Sequence, residues 1–125
     1  MPVFHLQTNV PKNKIPADFL KQTTALMSQI LGKPQSYCVA VVVPDTLMMH
    51  GTSSEPCGIL RFGCIGRMGV EENKKLSAAL FQHVEKNIGI AKDKMYITFS
   101  DSNPANVGYK GTTFHEIFKT DTSAK

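Results

Sequence analysis

The sequence predicts an α/β domain, a tandem β-α-β repeat that folds as a four-stranded mixed sheet with two helices on one face. Three observations predict it. Two amphipathic stretches each stop at a glycine, Gly32 and Gly89. Each glycine is followed by a run of strand formers. An interval of 57 residues separates the two glycines, and the same interval separates the run starting near Tyr37 from that starting near Lys94. Parallel strands need a crossover, and a helix between them supplies it.

The elements follow in order. Residues 3–9 are rich in strand formers and end at the turn signal Asn9-Val10-Pro11. Pro16 suits the first turn of a helix, where its missing N–H does no harm. Ile15, Phe19, Leu26 and Ile30 recur at helical spacing, widened by Leu20, Met27 and Leu31. Gly32 fits a left-handed helix end, and Pro34 prevents continuation. The apolar run from Tyr37 to Val43 reads as a strand covered on both faces.

Residues 58–65 read as the next strand, despite Arg61 and two glycines. Residues 71–88 carry Leu76, Ala79, Leu80, His83 and Val84 on one helical face. Glu71 and Glu72 at its start and Lys86 at its end suit the helix dipole. Met95 to Phe99 is a strand, Asp101-Ser102-Asn103-Pro104 a turn. Short extended pieces follow at Val107-Gly108-Tyr109 and Thr112-Thr113-Phe114. Beyond Phe114 the chain turns polar and is expected to fray, with Ile117 and Phe118 able to dock. Helices on one face leave the other face of the sheet bare, so oligomerisation is expected to cover it.

Composition narrows the function classes. The 125 residues are 42% hydrophobic and 19% charged, ordinary globular usage. No segment approaches the roughly 18 apolar residues of a membrane span, and the N-terminus lacks signal-peptide order. The net charge of +4 is scattered, so no nucleic-acid interface is expected. A basic surface favours anionic small molecules. Cys38, Cys57 and Cys64 are an odd set without CxxC spacing, which reads as free thiols in a reducing compartment. Cys57 is the most reactive of them if its loop is exposed. No metal or organic cofactor is expected.

The opening Met1-Pro2 draws attention for its chemistry. Proline is small enough for the initiator Met to be removed, leaving a secondary amine. An α-amino group titrates at about 7.7–8.0 unless burial or a neighbouring cation lowers it. A base tuned near the working pH suits proton transfer.

Several short blocks occur in a fixed order: Met1-Pro2-Val3-Phe4, Thr8-Asn9-Val10-Pro11, Gly32-Lys33-Pro34, Val43-Pro44-Asp45, Ser53-Ser54-Glu55-Pro56-Cys57, Ile65-Gly66, Asn106-Val107-Gly108 and Thr113-Phe114. This set resembles the macrophage migration inhibitory factor family over about residues 2–114. The resemblance implies the homotrimeric tautomerase fold, a single domain over residues 1–114 with pseudo-repeats 2–57 and 58–114. Residues 115–125 would be a flexible C-terminal extension. It also implies a cytokine with keto–enol tautomerase activity toward small aromatic keto or enol acids, of the phenylpyruvate and dopachrome type. The alternative is a signalling protein with a vestigial pocket. Its partners would be its own copies and a cell-surface receptor of the MHC class II invariant chain type. The protein would be cytoplasmic and exported without a signal peptide.

By the same resemblance Pro2 is the catalytic base and Lys33 binds the substrate carboxylate. The Ile65 N–H, Tyr96 from a neighbouring subunit and Thr98 contact substrate. Tyr37, Val107, Tyr109 and Phe114 line an apolar slot for its ring. Thr98 stands where relatives carry asparagine, Tyr109 where they carry tryptophan, and Gly63 where they carry a bulkier residue. Leu60 replaces the second cysteine of a family CxxC, so thiol oxidoreductase activity is not expected. Taken alone, Lys33 also fits a helix-dipole partner, Tyr96 a strand aromatic, and His83 a packed core residue.

Overall fold

The computed structural model describes residues 1–120. Residues 121–125 of the expected extension lie outside the described residues. Strand β1 (Val3–Thr8) is followed by helix α1 (Phe19–Leu31) and strand β2 (Val39–Val43). The order then repeats as β3 (Gly58–Cys64), α2 (Val70–Ile88) and β4 (Met95–Asp101). The sheet runs β2-β1-β3-β4. Both β1–β2 and β3–β4 are parallel, while β1 and β3 join the halves antiparallel at the centre. This is the mixed sheet predicted from the duplicated pattern.

Alternation fixes which face is buried. Phe4, Leu6 and Thr8 of β1, Leu60 and Phe62 of β3, and Met95 of β4 are buried. All but Thr8, whose hydroxyl donates to the Cys57 carbonyl, meet Phe19, Met27 and Leu31 of α1 and Leu76, Leu80, Val84 and Ile88 of α2 in one core. Each fully buried Leu or Phe contributes about 1.5–3 kcal/mol. Both helices end at the expected glycines, in left-handed conformation with φ of 64° at Gly32 and 76° at Gly89.

Four local expectations are corrected. Helix α1 begins three residues after Pro16, whose carbonyl accepts the Phe19 N–H at 3.0 Å. Its buried line is Phe19, Thr23, Met27 and Leu31; Thr23 takes a core position because its hydroxyl donates to the Phe19 carbonyl at 2.6 Å. Strand β2 is a sheet edge in the single chain, with Val39 49% and Val43 37% exposed, so its continuous apolar run is covered on the helix side only. Residues 114–120 do not fray; they form helix α3 (Phe114–Thr120), because Phe114, Ile117 and Phe118 present one apolar face.

The short extended pieces pair as a hairpin of β5 (Gly108–Tyr109) and β6 (Thr112–Thr113). Lys110 and Gly111 turn between them with φ of 53° and 80°, the positive angles a two-residue hairpin loop requires. Cys38, Cys57 and Cys64 are free, as expected, but Cys57 is buried rather than exposed on a loop. Among the described residues no helix is long and apolar enough to cross a membrane.

Candidate active site

The start of β1, the end of α1 and the end of β3 converge at one end of the sheet. Pro2 is buried there, and its carbonyl accepts the Val39 N–H at 2.9 Å, extending the β1–β2 ladder to the residue before β1. Gly32 lets the chain reverse out of α1 and carry Lys33 inward. The Lys33 carbonyl accepts from the Ser28 hydroxyl at 2.5 Å, which holds that turn.

Lys33 is 3% exposed. Its Nζ donates to the Ile65 carbonyl at 3.5 Å, and among the described residues no carboxylate pairs with it. The end of β3 is pinned on both sides of Ile65. The Ser102 N–H donates to the Cys64 carbonyl at 2.8 Å, and the Gly66 N–H to Asp101 Oδ1 at 2.9 Å.

These groups share an electrostatic environment. Burial lowers the pKa of the Met1 α-amine; the Cys64 thiol opposes that, and the Lys33 charge adds to it. Lys33 is also lowered, by burial first, with Cys64 opposing and Arg67 reinforcing. Burial raises the Cys64 thiol against the pull of Lys33. Burial likewise raises Cys38, against the pull of the N-terminal amine. The corner is largely buried and carries positive charge, both of which disfavour protonation of an amine at the chain start.

Beside it lies an aromatic cluster. The ring of Phe114, 2% exposed, is 5.4 Å from Tyr109 and parallel to it within 2°, and 6.2 Å from Tyr37. Tyr37 and Tyr109 are 5.6 Å apart. Ile65 and Phe114 form a second buried cluster against which Met1, Tyr37 and Val107 pack. The Val107 carbonyl accepts the Phe114 N–H at 3.0 Å, fastening the cluster's two flanks.

The single chain thus brings together Pro2, Lys33, Ile65, Tyr37, Val107, Tyr109 and Phe114. It does not bring Tyr96 or Thr98 to them. Both are exposed on β4, on the sheet face that the helices leave bare. Tyr96 pairs in register with Ile59, and Ile59 with Gln7, at the end of the sheet opposite Pro2. Tyr96 there stacks on His50 at 5.4 Å.

Sequence reasoning missed Cys64 as a neighbour of Lys33; Ile117 and Phe118 dock as expected, and they do so on the aromatic cluster. Alternation along β3 marks Cys64 as buried, but its meeting with Lys33 depends on where α1 and β3 end. The docking of Ile117 and Phe118 was available from their i+3 and i+4 spacing to Phe114.

Comparison with known proteins completes the description. The family described as macrophage migration inhibitory factor matches residues 1–115. The macrophage migration inhibitory factor of Xenopus tropicalis is 38% identical over 114 residues, covering 91% of this chain and 99% of that protein. The homolog from Trichuris trichiura is 40% identical over 114 residues, covering 91% and 100%. The structure of the Trichinella spiralis factor superposes with a TM-score of 0.87 at 38% identity, over 90% of this chain and 99% of that one. A homologue from Prochlorococcus marinus superposes with a TM-score of 0.82 at 27% identity, over 90% and 98%.

Proposed function

The chain belongs to the macrophage migration inhibitory factor family, and from that premise we propose that it is a homotrimeric keto–enol tautomerase of small aromatic acids, phenylpyruvate and dopachrome-like compounds among them. The observation that carries this reading is Lys33. A lysine 3% exposed, with a single carbonyl as partner and no carboxylate among the described residues, leaves most of its charge uncompensated. A substrate carboxylate answers that deficit.

Removal of Met1 converts the Pro2 nitrogen from a tertiary amide to a secondary amine. Burial and the Lys33 charge pull the pKa of that amine down, favouring its neutral form. It takes a proton from the carbon beside the substrate carbonyl, whose C–H electron pair becomes the C=C bond. The carbonyl oxygen, now an enolate, takes the proton back, so the step balances with one proton and no oxidant. The Ile65 N–H and the Thr98 hydroxyl supply hydrogen bonds to substrate, stabilising the charge that develops. Tyr37, Val107, Tyr109 and Phe114 hold the ring.

Tyr96 and Thr98 join the site from a neighbouring subunit. The bare sheet face and the exposed Val39 and Val43 at the β2 edge support assembly, and family membership supports the reading that three copies assemble. Family membership also supports a second role, as a cytokine exported from the cytoplasm without a signal peptide. Its target would be a cell-surface receptor of the MHC class II invariant chain type. A Pro2→Gly protein that still signals would separate the two roles.

The deciding experiment follows enol phenylpyruvate in the ultraviolet, on protein with a sequenced N-terminus. Turnover by protein beginning at Pro2, and none by Met1-retaining protein, is the expected result. Equal turnover by both forms refutes the N-terminal base.

A further inference from the structure

Alternation along β1, β3 and β4 sends Val3, His5, Arg61, Gly63 and Ser100 to the sheet face opposite the helices. His5 stands directly across from Arg61 in the β1–β3 ladder, and Gly63 lies between Val3 on one side and Ser100 on the other. The register partners of Arg61 are His5 and Thr98, neither of them acidic. Among the described residues Arg61 makes no ion pair.

Gly63 keeps this part of the face open. It has no positive φ, so the backbone does not call for glycine there. A Cβ at this position would meet Ser100 alone, 3.6 Å from its carbonyl oxygen and 3.9 Å from its Cβ, both ordinary contacts. The space is part of a cavity of about 350 Å³ whose lining includes His5, Arg61, Ser100 and Ser102 and no carboxylate. His5 also lacks a partner: among the described residues its Nδ1 is the one buried side-chain nitrogen or oxygen without a hydrogen bond. A buried polar atom left unpaired is costly, and a bound water or ion is a common remedy.

We propose that this cavity is an oxyanion site apart from the Lys33 corner, taking inorganic phosphate or the phosphate monoester of a small molecule. Arg61 supplies the charge and a planar fork that matches two phosphate oxygens. The Ser100 and Ser102 hydroxyls and the His5 imidazole supply further hydrogen bonds. Gly63 forms the floor, where a side chain would stand in the ligand's place.

The test is calorimetric titration of inorganic phosphate, and separately of glycerol 3-phosphate, into the full chain at an ionic strength held constant with chloride. The proteins are wild type, Arg61→Gln, Gly63→Val and Lys33→Met, each checked by circular dichroism. Wild type should bind saturably. Arg61→Gln should weaken binding by about tenfold or more, the scale of one hydrogen bond to a charged group. Gly63→Val should abolish binding with Arg61 still present, and Lys33→Met should bind as wild type does. Tighter binding of inorganic phosphate assigns the site to the free ion, tighter binding of glycerol 3-phosphate to a monoester, and either supports the proposal. It is overturned by the absence of saturable binding to wild type, by binding indifferent to Arg61→Gln and Gly63→Val, or by loss of binding in Lys33→Met. Turnover of enol phenylpyruvate by wild type decides the tautomerase reading separately.

Discussion

Lys33 Nζ lies 3.5 Å from the carbonyl oxygen of Ile65, and that oxygen is the hydrogen-bond acceptor it finds, with no carboxylate paired to it among the described residues. A carbonyl offers a partial charge where the ammonium calls for a full one.

Replacing Lys33 by Met should therefore separate stability from activity. The melting temperature should hold or rise, because removing a buried uncompensated charge is often neutral or stabilising. Binding of the substrate carboxylate should weaken, raising KM. Loss of the Lys33 charge should also raise the pKa of the Pro2 amine, moving the acid limb of kcat/KM to higher pH. Calorimetry and a pH series on the wild type and Lys33→Met check both effects. A collapse in melting temperature would show that Lys33 serves the fold.

Processing of the N-terminus should act as an on–off switch for turnover. Protein beginning at Pro2 should be active, and protein keeping Met1 inactive, since an amide nitrogen has no useful basicity. Pro2→Gly, processed in the same way, should keep residual activity as a primary amine on a looser chain. Mass spectrometry paired with the enol phenylpyruvate assay decides.

His83 should make stability depend on pH. Its Nε2 is 2.8 Å from Thr23 Oγ1, linking α2 to α1, and its ring stacks on Phe19 at 5.0 Å. Thr23 already donates to the Phe19 carbonyl, which assigns the proton to Nε2, and Asn87 Nδ2 faces Nδ1 at 3.2 Å. Burial, then the charge of Lys86, lowers its pKa below the ordinary 6.5. The unfolded chain binds the proton first, so this contribution is whole above 6.5 and is lost as pH falls through the lower folded value. The urea midpoint should drop between about pH 7.5 and 5.5, less steeply in His83→Gln.

Assembly should be measurable by sedimentation, with a mass three times that of the chain. Val43→Asp places a charge on the exposed β2 edge and should shift the distribution toward monomer, while circular dichroism stays close to wild type. Tautomerase activity should fall with the trimer, because Tyr96 and Thr98 lie outside the site of their own chain. A monomer retaining full activity would remove both residues from the mechanism.

The sheet, the two crossovers and the glycine helix ends were legible because each rests on local chemistry: alternation, helical stripes, left-handed caps. The meeting of Pro2, Lys33 and the Ile65 segment was not legible from spacing, since it depends on where three separate elements end, and only the family resemblance linked them. Thr23 was missed because a threonine that bonds its own helix counts as polar by composition yet as satisfied in the core. Helix α3 was missed because a polar majority hid three apolar residues on one side of two turns.

The hydrogen bond from the Val39 N–H to the Pro2 carbonyl has a thermodynamic meaning. Chain ends ordinarily fray, and ordering one at the moment of reaction would consume binding energy as lost entropy. Here the ladder fixes the carbonyl side of residue 2, and the pyrrolidine ring closes off rotation about N–Cα. The first nitrogen of the processed chain would have almost no torsional freedom left to surrender. That cost is met once, when the polypeptide folds, and does not recur with each turnover.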